Sequence, residues 1–441
     1  MFEPQTYAIL MLVAFFALLM IGVPVATTLA TVGFIFGYLG FGDSLFSLLP
    51  ARFYGIVAGY QWMAIPLFVF MGVMLEKSRL ADDLLDVMGH IAGGVRGGMG
   101  VGIILFGVLM GATTGIVGAT VITLGLLTLP TLLKRGYNKS IACGAICASG
   151  TLGQIIPPSL ILILLSDIMQ LSVGTLFAAA VGPGMMLAAV YIIFLLVLGW
   201  LKPELMPPLP QAERDGVSRR QLWVRFWKVV VPPIMLVVSV LGSIVGGIAA
   251  PTEAASMGAV GSVLITALSG RLTLKTLKAV ALETSKITAI MMLILMTAQV
   301  FALAFRGLHG EDLITRMFEA LPGGVNSDIW FMMLLIFVLG FFIEWIEISY
   351  IAVPLFLPVL LAQGVDPVWL AMLITVNLQS SFLTPPFGWA LFYLKGVAPP
   401  EVTIKDIYKG VVPFIAMQAL ALILLFFYPQ IALWLPKAIG W

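Results

Sequence analysis

Two short stretches, far apart in the chain, combine residue types suited to holding a cation through oxygen. Ala148-Ser-Gly-Thr-Leu-Gly-Gln-Ile-Ile-Pro-Pro-Ser159 sets glycines, hydroxyls and a proline pair inside an apolar run. Val376-Asn-Leu-Gln-Ser-Ser-Phe-Leu-Thr-Pro-Pro-Phe387 is equally polar and interrupted, and its Pro385 follows Pro157 by 228 residues. Proline removes a backbone donor and its ring crowds the preceding turn, so both runs predict helices that come apart in mid-course. In a bilayer, carbonyls freed in this way are tolerated only where they line a cavity or hold an ion. Glu344 and Glu347, three apart on one predicted helix face, add costly carboxylates whose role is with a cation or a proton unless they sit in a wet vestibule. No nucleotide-binding loop and no nucleophile, base and stabiliser set accompanies them, so neither enzyme chemistry nor direct ATP coupling is predicted.

The elements that must position these residues are membrane helices. Of 441 residues, 61% are hydrophobic and 10% charged, against roughly 25% charged in a soluble domain. The fold class is thus an all-α polytopic membrane protein, with the lipid bilayer as its first partner. A net charge of +2, spread in short basic clusters, implies no nucleic acid. Cys143 and Cys147 have no nearby histidine or further cysteine and read as packing residues. The apolar run from Tyr7 lacks a basic start and a small-residue cleavage site, so it is expected to be a retained span.

Spans are predicted at 7–23, 24–40 and 56–75, the last kinked at Pro66, followed by an amphipathic surface helix or exposed connector at 76–90. Residues 97–129 carry Gly111-Ala-Thr-Thr-Gly-Ile-Val-Gly118 at their middle, which predicts a re-entrant hairpin; one long tilted span is the alternative. The first broken helix covers 140–167 and a span follows at 175–200. A first repeat (1–201) then gives way to a polar linker (202–228) and a second repeat (229–441), with spans at 229–249, 251–268 and 280–305, a hairpin at 328–361 and a broken helix at 367–397. Landmarks recur at nearly constant spacing: Pro24 with Pro251, Leu84 with Leu313, Pro130 with Pro358, Gly136 with Gly364.

Positive charge orients the halves. Lys134, Arg135 and Lys139 precede the first broken helix, whereas the matching loop, residues 362–367, has no base and one acid. Equivalent loops therefore face opposite sides. Ten crossings and two hairpins put both termini outside, in an inverted-topology repeat, the signature of an alternating-access transporter. Half-helix amino ends favour an anionic solute, and unwound carbonyls favour sodium. For a first Na+ site the candidates are Gly115, Gly118, Ser149, Gly153, Ile156 and Pro158. For a second they are Gly340, Glu344, Ser381, Thr384 and Phe387. Thr113, Thr114, Asn377 and Gln379 are candidate substrate contacts. Tight helix packing is the alternative for each small residue.

Leu109-Met-Gly-Ala-Thr-Thr-Gly-Ile-Val-Gly-Ala-Thr120, Pro251-Thr-Glu-Ala-Ala255 and Gly153-Gln-Ile-Ile-Pro-Pro-Ser159 together resemble three signatures of the large membrane subunit of tripartite ATP-independent periplasmic (TRAP) transporters, in the ion transporter superfamily. The resemblance covers essentially the full chain. It implies an elevator-type, sodium-driven importer of small organic acids in a bacterial inner membrane, with a small four-helix membrane subunit and a periplasmic substrate-binding protein as partners. It also supports sodium at the clusters around Gly153 to Pro158 and Ser381 to Phe387. The sequence departs from the family at Thr113, Thr114 and Ile116, where serines are usual at the first tip, and at Glu344 in the second. A first span beginning near residue 7 leads us to expect the small subunit as a separate chain. A binding-protein-independent divalent-anion or citrate-type symporter of the same superfamily is the alternative.

Overall fold

The computed structural model describes residues 4–78, 80–114, 117–208, 218–319, 321–385 and 388–441, with no strand among them. Six of the described helices are long and apolar enough to cross a membrane, and shorter apolar helices accompany them. The chain opens with α1 (Pro4–Ile21), α2 (Val25–Phe41), α3 (Ser44–Val57), α4 (Ala64–Lys77) and α5 (Leu80–Ala92). The single span expected at 56–75 is not one helix. The Trp62 ring folds back so closely over Gly59 that a Cβ there would lie 2.7 Å from it. Pro66 consequently stands in the first turn of α4, where its missing N–H goes unused, and not at a mid-helix kink.

Next come α6 (Gly98–Thr114), α7 (Val117–Leu127), α8 (Leu129–Lys134), α9 (Lys139–Leu152), α10 (Leu160–Ile168) and α11 (Val173–Leu201). Here α6 and α7 are the arms of the hairpin, and α9 and α10 are the halves of the broken helix. The linker, read as plain connector, holds a helix, α12 (Arg219–Val229), whose Trp223 and Trp227 are exposed. Aromatic rings beside basic residues suit the membrane interface.

Then follow α13 (Val231–Val245), α14 (Pro251–Leu268), α15 (Leu274–Gly307) and α16 (Gly310–Glu319). Glu253 accepts from the Ala250 N–H at 2.9 Å, closing the amino end of α14. The second hairpin is α17 (Val325–Leu339) and α18 (Trp345–Ala362), and the second broken helix is α19 (Pro367–Ser381) and α20 (Trp389–Val397). The chain closes with α21 (Ile404–Phe427) and a further short helix, α22 (Gln430–Ala438).

The spacing seen in the sequence holds for whole elements. Helices starting at 98, 117, 139 and 160 in the first half correspond to starts at 325, 345, 367 and 389 in the second, offsets of 227, 228, 228 and 229. Even the caps match: Asn138 accepts from the Ser140 and Ile141 N–H groups, and Asp366 from those of Val368 and Trp369. Packing is exchanged between the halves: α2 lies on α15 and α14 on α4; α9 lies on α21 and α19 on α11; α7 lies on α20 and α18 on α10. Each contact has its reciprocal, as a twofold relation requires.

At 34 residues, α15 is about 51 Å long and marks two ends of the molecule. Near its start, Arg271 pairs with Asp83 at 2.6 Å, while Arg225 reaches Asp86 at 2.9 Å. The linker joins the same region, for Leu205 and Met206 carbonyls accept from Asn138 and Gly97. In its last turn, Arg306 pairs with Glu311, and beyond that end Arg316 donates to Gln5 near the amino terminus.

Candidate functional site

In the first half, α6 crosses the carboxyl end of α9 with backbones touching. A Cβ on Gly111 would lie 1.9 Å from the Cα of Gly153, and one on Gly107 would lie 2.0 Å from the Ser149 Oγ. Only glycine permits so close an approach. Ser149 is fully buried and donates to the Ile103 carbonyl at 2.6 Å. In the second half, a Cβ on Gly340 would lie 2.1 Å from the Cβ of Ser381, and Asn377 donates to the Met333 carbonyl at 2.6 Å. Gly340 and Ser381 stand 229 and 228 residues beyond Gly111 and Gly153, and Asn377 stands 228 beyond Ser149. The same crossing, pinned one turn back by the same kind of hydrogen bond, is thus built twice.

Past each crossing the broken helix opens. Residues 153–159 join α9 to α10 as a run of turns and bends, with no continuing helix. No hydrogen bond reaches the carbonyls of Gly153, Ile155, Ile156, Pro157 or Pro158 among the described residues. Ser159 donates to the Gln154 carbonyl and steadies this segment, while Ile156 packs on Gly184 of α11. The second break is more closed: Phe382 and Thr384 carbonyls accept from Ala390 and Gly388, and the Thr384 hydroxyl donates to Ser380. Clustered carbonyls without protein donors are hard-oxygen ligands for a small monovalent cation.

Residues of both breaks, of both hairpins and of α15 (Ile287, Ile290 and Met291) line one cavity of about 260 Å³. Gly118 and Gln154 line it from the first half, and Glu344, Trp345, Phe382 and Tyr393 from the second. A Cβ on Gly118 would lie 3.0 Å from the Tyr393 ring, so this glycine seats an aromatic of the opposite half. A more polar cavity of about 360 Å³ lies towards the Arg306 end of α15, lined by Arg52, Asp167, Gln170, Gln299, Arg306 and Tyr350.

The structure therefore brings Gly118 and Glu344 to one cavity, and it places Gly153 and Ser381 at the paired crossings. Gly115 and Phe387 lie outside the described residues, and so do the side chains of Thr113 and Thr114. Asn377 gives its amide to the hairpin arm, and Gln379 is fully buried with no hydrogen bond to its amide among the described residues. Sequence reasoning missed Gln154, Phe382 and Tyr393. The first two stand within or beside the quoted polar stretches, while Tyr393 carries no local signal. Glu347 is 4% exposed and one of its carboxylate oxygens has no partner among the described residues.

Paired hairpins, paired broken helices and long apolar helices define a multi-pass helical membrane protein. A solved structure of this general form, the YdaH transporter of Alcanivorax borkumensis, superposes with a TM-score of 0.61 at 15% identity, covering 88% of this chain and 89% of that one. The family described as the tripartite ATP-independent periplasmic transporter, DctM component, matches residues 12–431, and the chain belongs to it. It is 31% identical to the ectoine TRAP transporter large permease protein of Halomonas elongata, covering 97% of this chain and 98% of that one. It is 27% identical to the C4-dicarboxylate TRAP transporter large permease protein of Vibrio cholerae, covering 97% of both. These relatives are transporter permeases, not enzymes.

Proposed function

We propose that this chain is the permease of a sodium-coupled importer that carries a small organic acid by elevator-type alternating access, and that its two halves form an inverted repeat. The cavity shared by the two broken helices is the observation that carries this reading. Reciprocal packing supports a twofold relation between the halves, and one contact supports its antiparallel sense. Lys139, at the start of the first broken helix, donates at 2.8 Å to the carbonyl of Glu401, just beyond the end of the second.

One Na+ is held by the carbonyls around Gly153, Ile156 and Pro158, with Gly115, Gly118 and Ser149 beside them. A second is held at Gly340, Ser381, Thr384 and Phe387, with Glu344 supplying the nearby carboxylate. Thr113, Thr114 and Gln379 contact the solute, while Asn377, whose amide donates to the Met333 carbonyl, braces the second hairpin arm. The two repeats, 1–201 and 229–441, contribute one hairpin and one broken helix each to the moving core. In the inner membrane the chain works with a small four-helix membrane subunit and a periplasmic substrate-binding protein, with both termini periplasmic. The chemistry relatives name, C4-dicarboxylate and ectoine, sets the range: a compact carboxylate.

The test is uptake into proteoliposomes holding the membrane subunits, with the solute-loaded binding protein outside. Uptake should follow an inward sodium gradient and collapse without the binding protein. Uptake indifferent to sodium overturns the coupling, and uptake that persists without the binding protein favours a binding-protein-independent symporter.

A further inference from the structure

The helix α12 has two unlike faces. Leu222, Phe226 and Val229, spaced four and three apart, are half-buried and pack on the core, where α12 lies on α5 and meets α13. The other face carries Arg220, Trp223, Val224, Trp227 and Lys228, the spacing of one helical stripe. Trp223, Val224 and Trp227 are 59%, 47% and 62% exposed, and both cations are exposed as well. The two indoles stand edge-on to the Phe226 ring, with centroids 5.7 and 6.3 Å from it, so the packed face holds them outward. Arg220 and Lys228 make no hydrogen bond or ion pair among the described residues, whereas Arg225 is engaged by Asp86 at 2.9 Å.

Length places this stripe in the headgroup layer. Arg220–Val245 is one candidate span of 26 residues, about 39 Å long at 1.5 Å per residue. Bilayer hydrocarbon is about 30 Å thick, so roughly six residues must stand outside it. The Val245 end, followed by Gly246 and Gly247, brings neither charge nor ring to that layer, and the Arg220 end brings both. Indoles settle at headgroup depth. Charge then selects the lipid. The segments joined at this end, residues 76–96, 134–139, 202–228, 269–283 and 395–409, hold eighteen basic side chains against ten acidic ones. So large a surplus is complementary to an anionic leaflet.

We infer that the exposed stripe of α12 is a docking surface for anionic phospholipid, with headgroup phosphates at Arg220 and Lys228 and the upper acyl region against Trp223, Val224 and Trp227. The lipid covers the face that the protein leaves open and fixes α12, and α5 beneath it, at the membrane surface. This goes beyond the transport reading and does not depend on what the permease carries.

The test uses the full chain in a series of phosphatidylcholine nanodiscs that contain rising fractions of a lipid brominated on its acyl chains, which quenches tryptophan on contact. The brominated lipid is phosphatidylglycerol in one series and phosphatidylcholine in the other. Half-maximal quenching should need at least about fivefold less phosphatidylglycerol, the gain expected from a single basic side chain at an anionic surface. Trp223→Phe with Trp227→Phe should remove the quenching that shows this preference. Arg220→Gln with Lys228→Gln should make the two lipids equivalent while the indoles are still quenched. Equal quenching by both lipids in the wild type overturns the inference, as does a preference that survives in either double variant. Repeating the series with the small membrane subunit bound tests the other occupant. Unchanged quenching supports lipid, and loss of the indole quenching would show that a protein partner covers α12 and would overturn the inference.

Discussion

Gly111 and Gly153 meet backbone to backbone, and Gly340 and Ser381 repeat that meeting in the other half with room for one hydroxymethyl group. Each hairpin arm thereby rests on its own broken helix at the turn where the helix comes undone. The position of the unwound carbonyls is set by the hairpin as much as by proline.

Gly111→Val should separate α6 from α9, since overpacking so close a contact costs about 1–3 kcal/mol. Uptake in proteoliposomes should fall at least about tenfold, equivalent to ~1.4 kcal/mol, with insertion into the membrane retained. Gly242→Ala is the comparison, because nothing lies within 4 Å of a Cβ there, and its uptake should match the wild type. Equal rates in both variants would show that the crossing is not needed.

Removing the amide of Asn377 tests its assignment as a brace. Asn377→Ala leaves the Met333 carbonyl without its 2.6 Å donor, and buried interhelical hydrogen bonds in membranes contribute about 0.6–2 kcal/mol. The expected outcome is a lower Tm in detergent, with the solute concentration for half-maximal uptake little changed. An unchanged Tm with weakened solute affinity would return Asn377 to direct contact with the solute.

Sodium dependence separates the hydroxyls. Ser149→Ala and Thr384→Ala should each raise the sodium concentration for half-maximal uptake about fivefold, the effect of losing ~1 kcal/mol. If neither curve moves, these hydroxyls hold only their helix carbonyls, Ile103 for Ser149 and Ser380 for Thr384.

Sidedness can be read by cysteine labelling in a background with Cys143 and Cys147, both buried and free, replaced by alanine. Cysteines introduced at Lys139 and Arg271 should react with an impermeant maleimide only from the cytoplasmic side, and one at Arg316 only from the periplasm. Labelling of Lys139→Cys and Arg316→Cys from the same side would remove the inverted arrangement.

Much of the architecture could be read from residue order because its breaks are chemical. Proline and glycine mark the ends of α9 and α19 and the hairpin tips, and the duplication repeats those marks at a fixed distance. Residues 56–75 misled, because their hydropathy is continuous across a turn set by Trp62 over Gly59, a packing detail without a hydropathy signature. The helix α12 was hidden by its charge, which reads as linker until Trp223 and Trp227 are seen on its surface. Contacts across the halves were out of reach: the Gly118–Tyr393 seat joins residues 275 apart (393 − 118), and hydropathy gives no hint of it. Asn377 is a buried amide in an apolar run and so needs a partner, and sequence alone did not reveal that its amide nitrogen finds one in the Met333 carbonyl on the neighbouring arm.

The exchanged packing of α2 on α15 and of α14 on α4 bears on how the polypeptide matures. While the ribosome has delivered only the first 201 residues, α2, α7, α9, α10 and α11 lack the surfaces they end up against, which have not yet been made. The finished interior closes late, when α21 arrives to cover α9. Two fragments divided at the linker and synthesised together should therefore have every complementary surface they need to dock, whereas the first half made alone should not reach its finished packing.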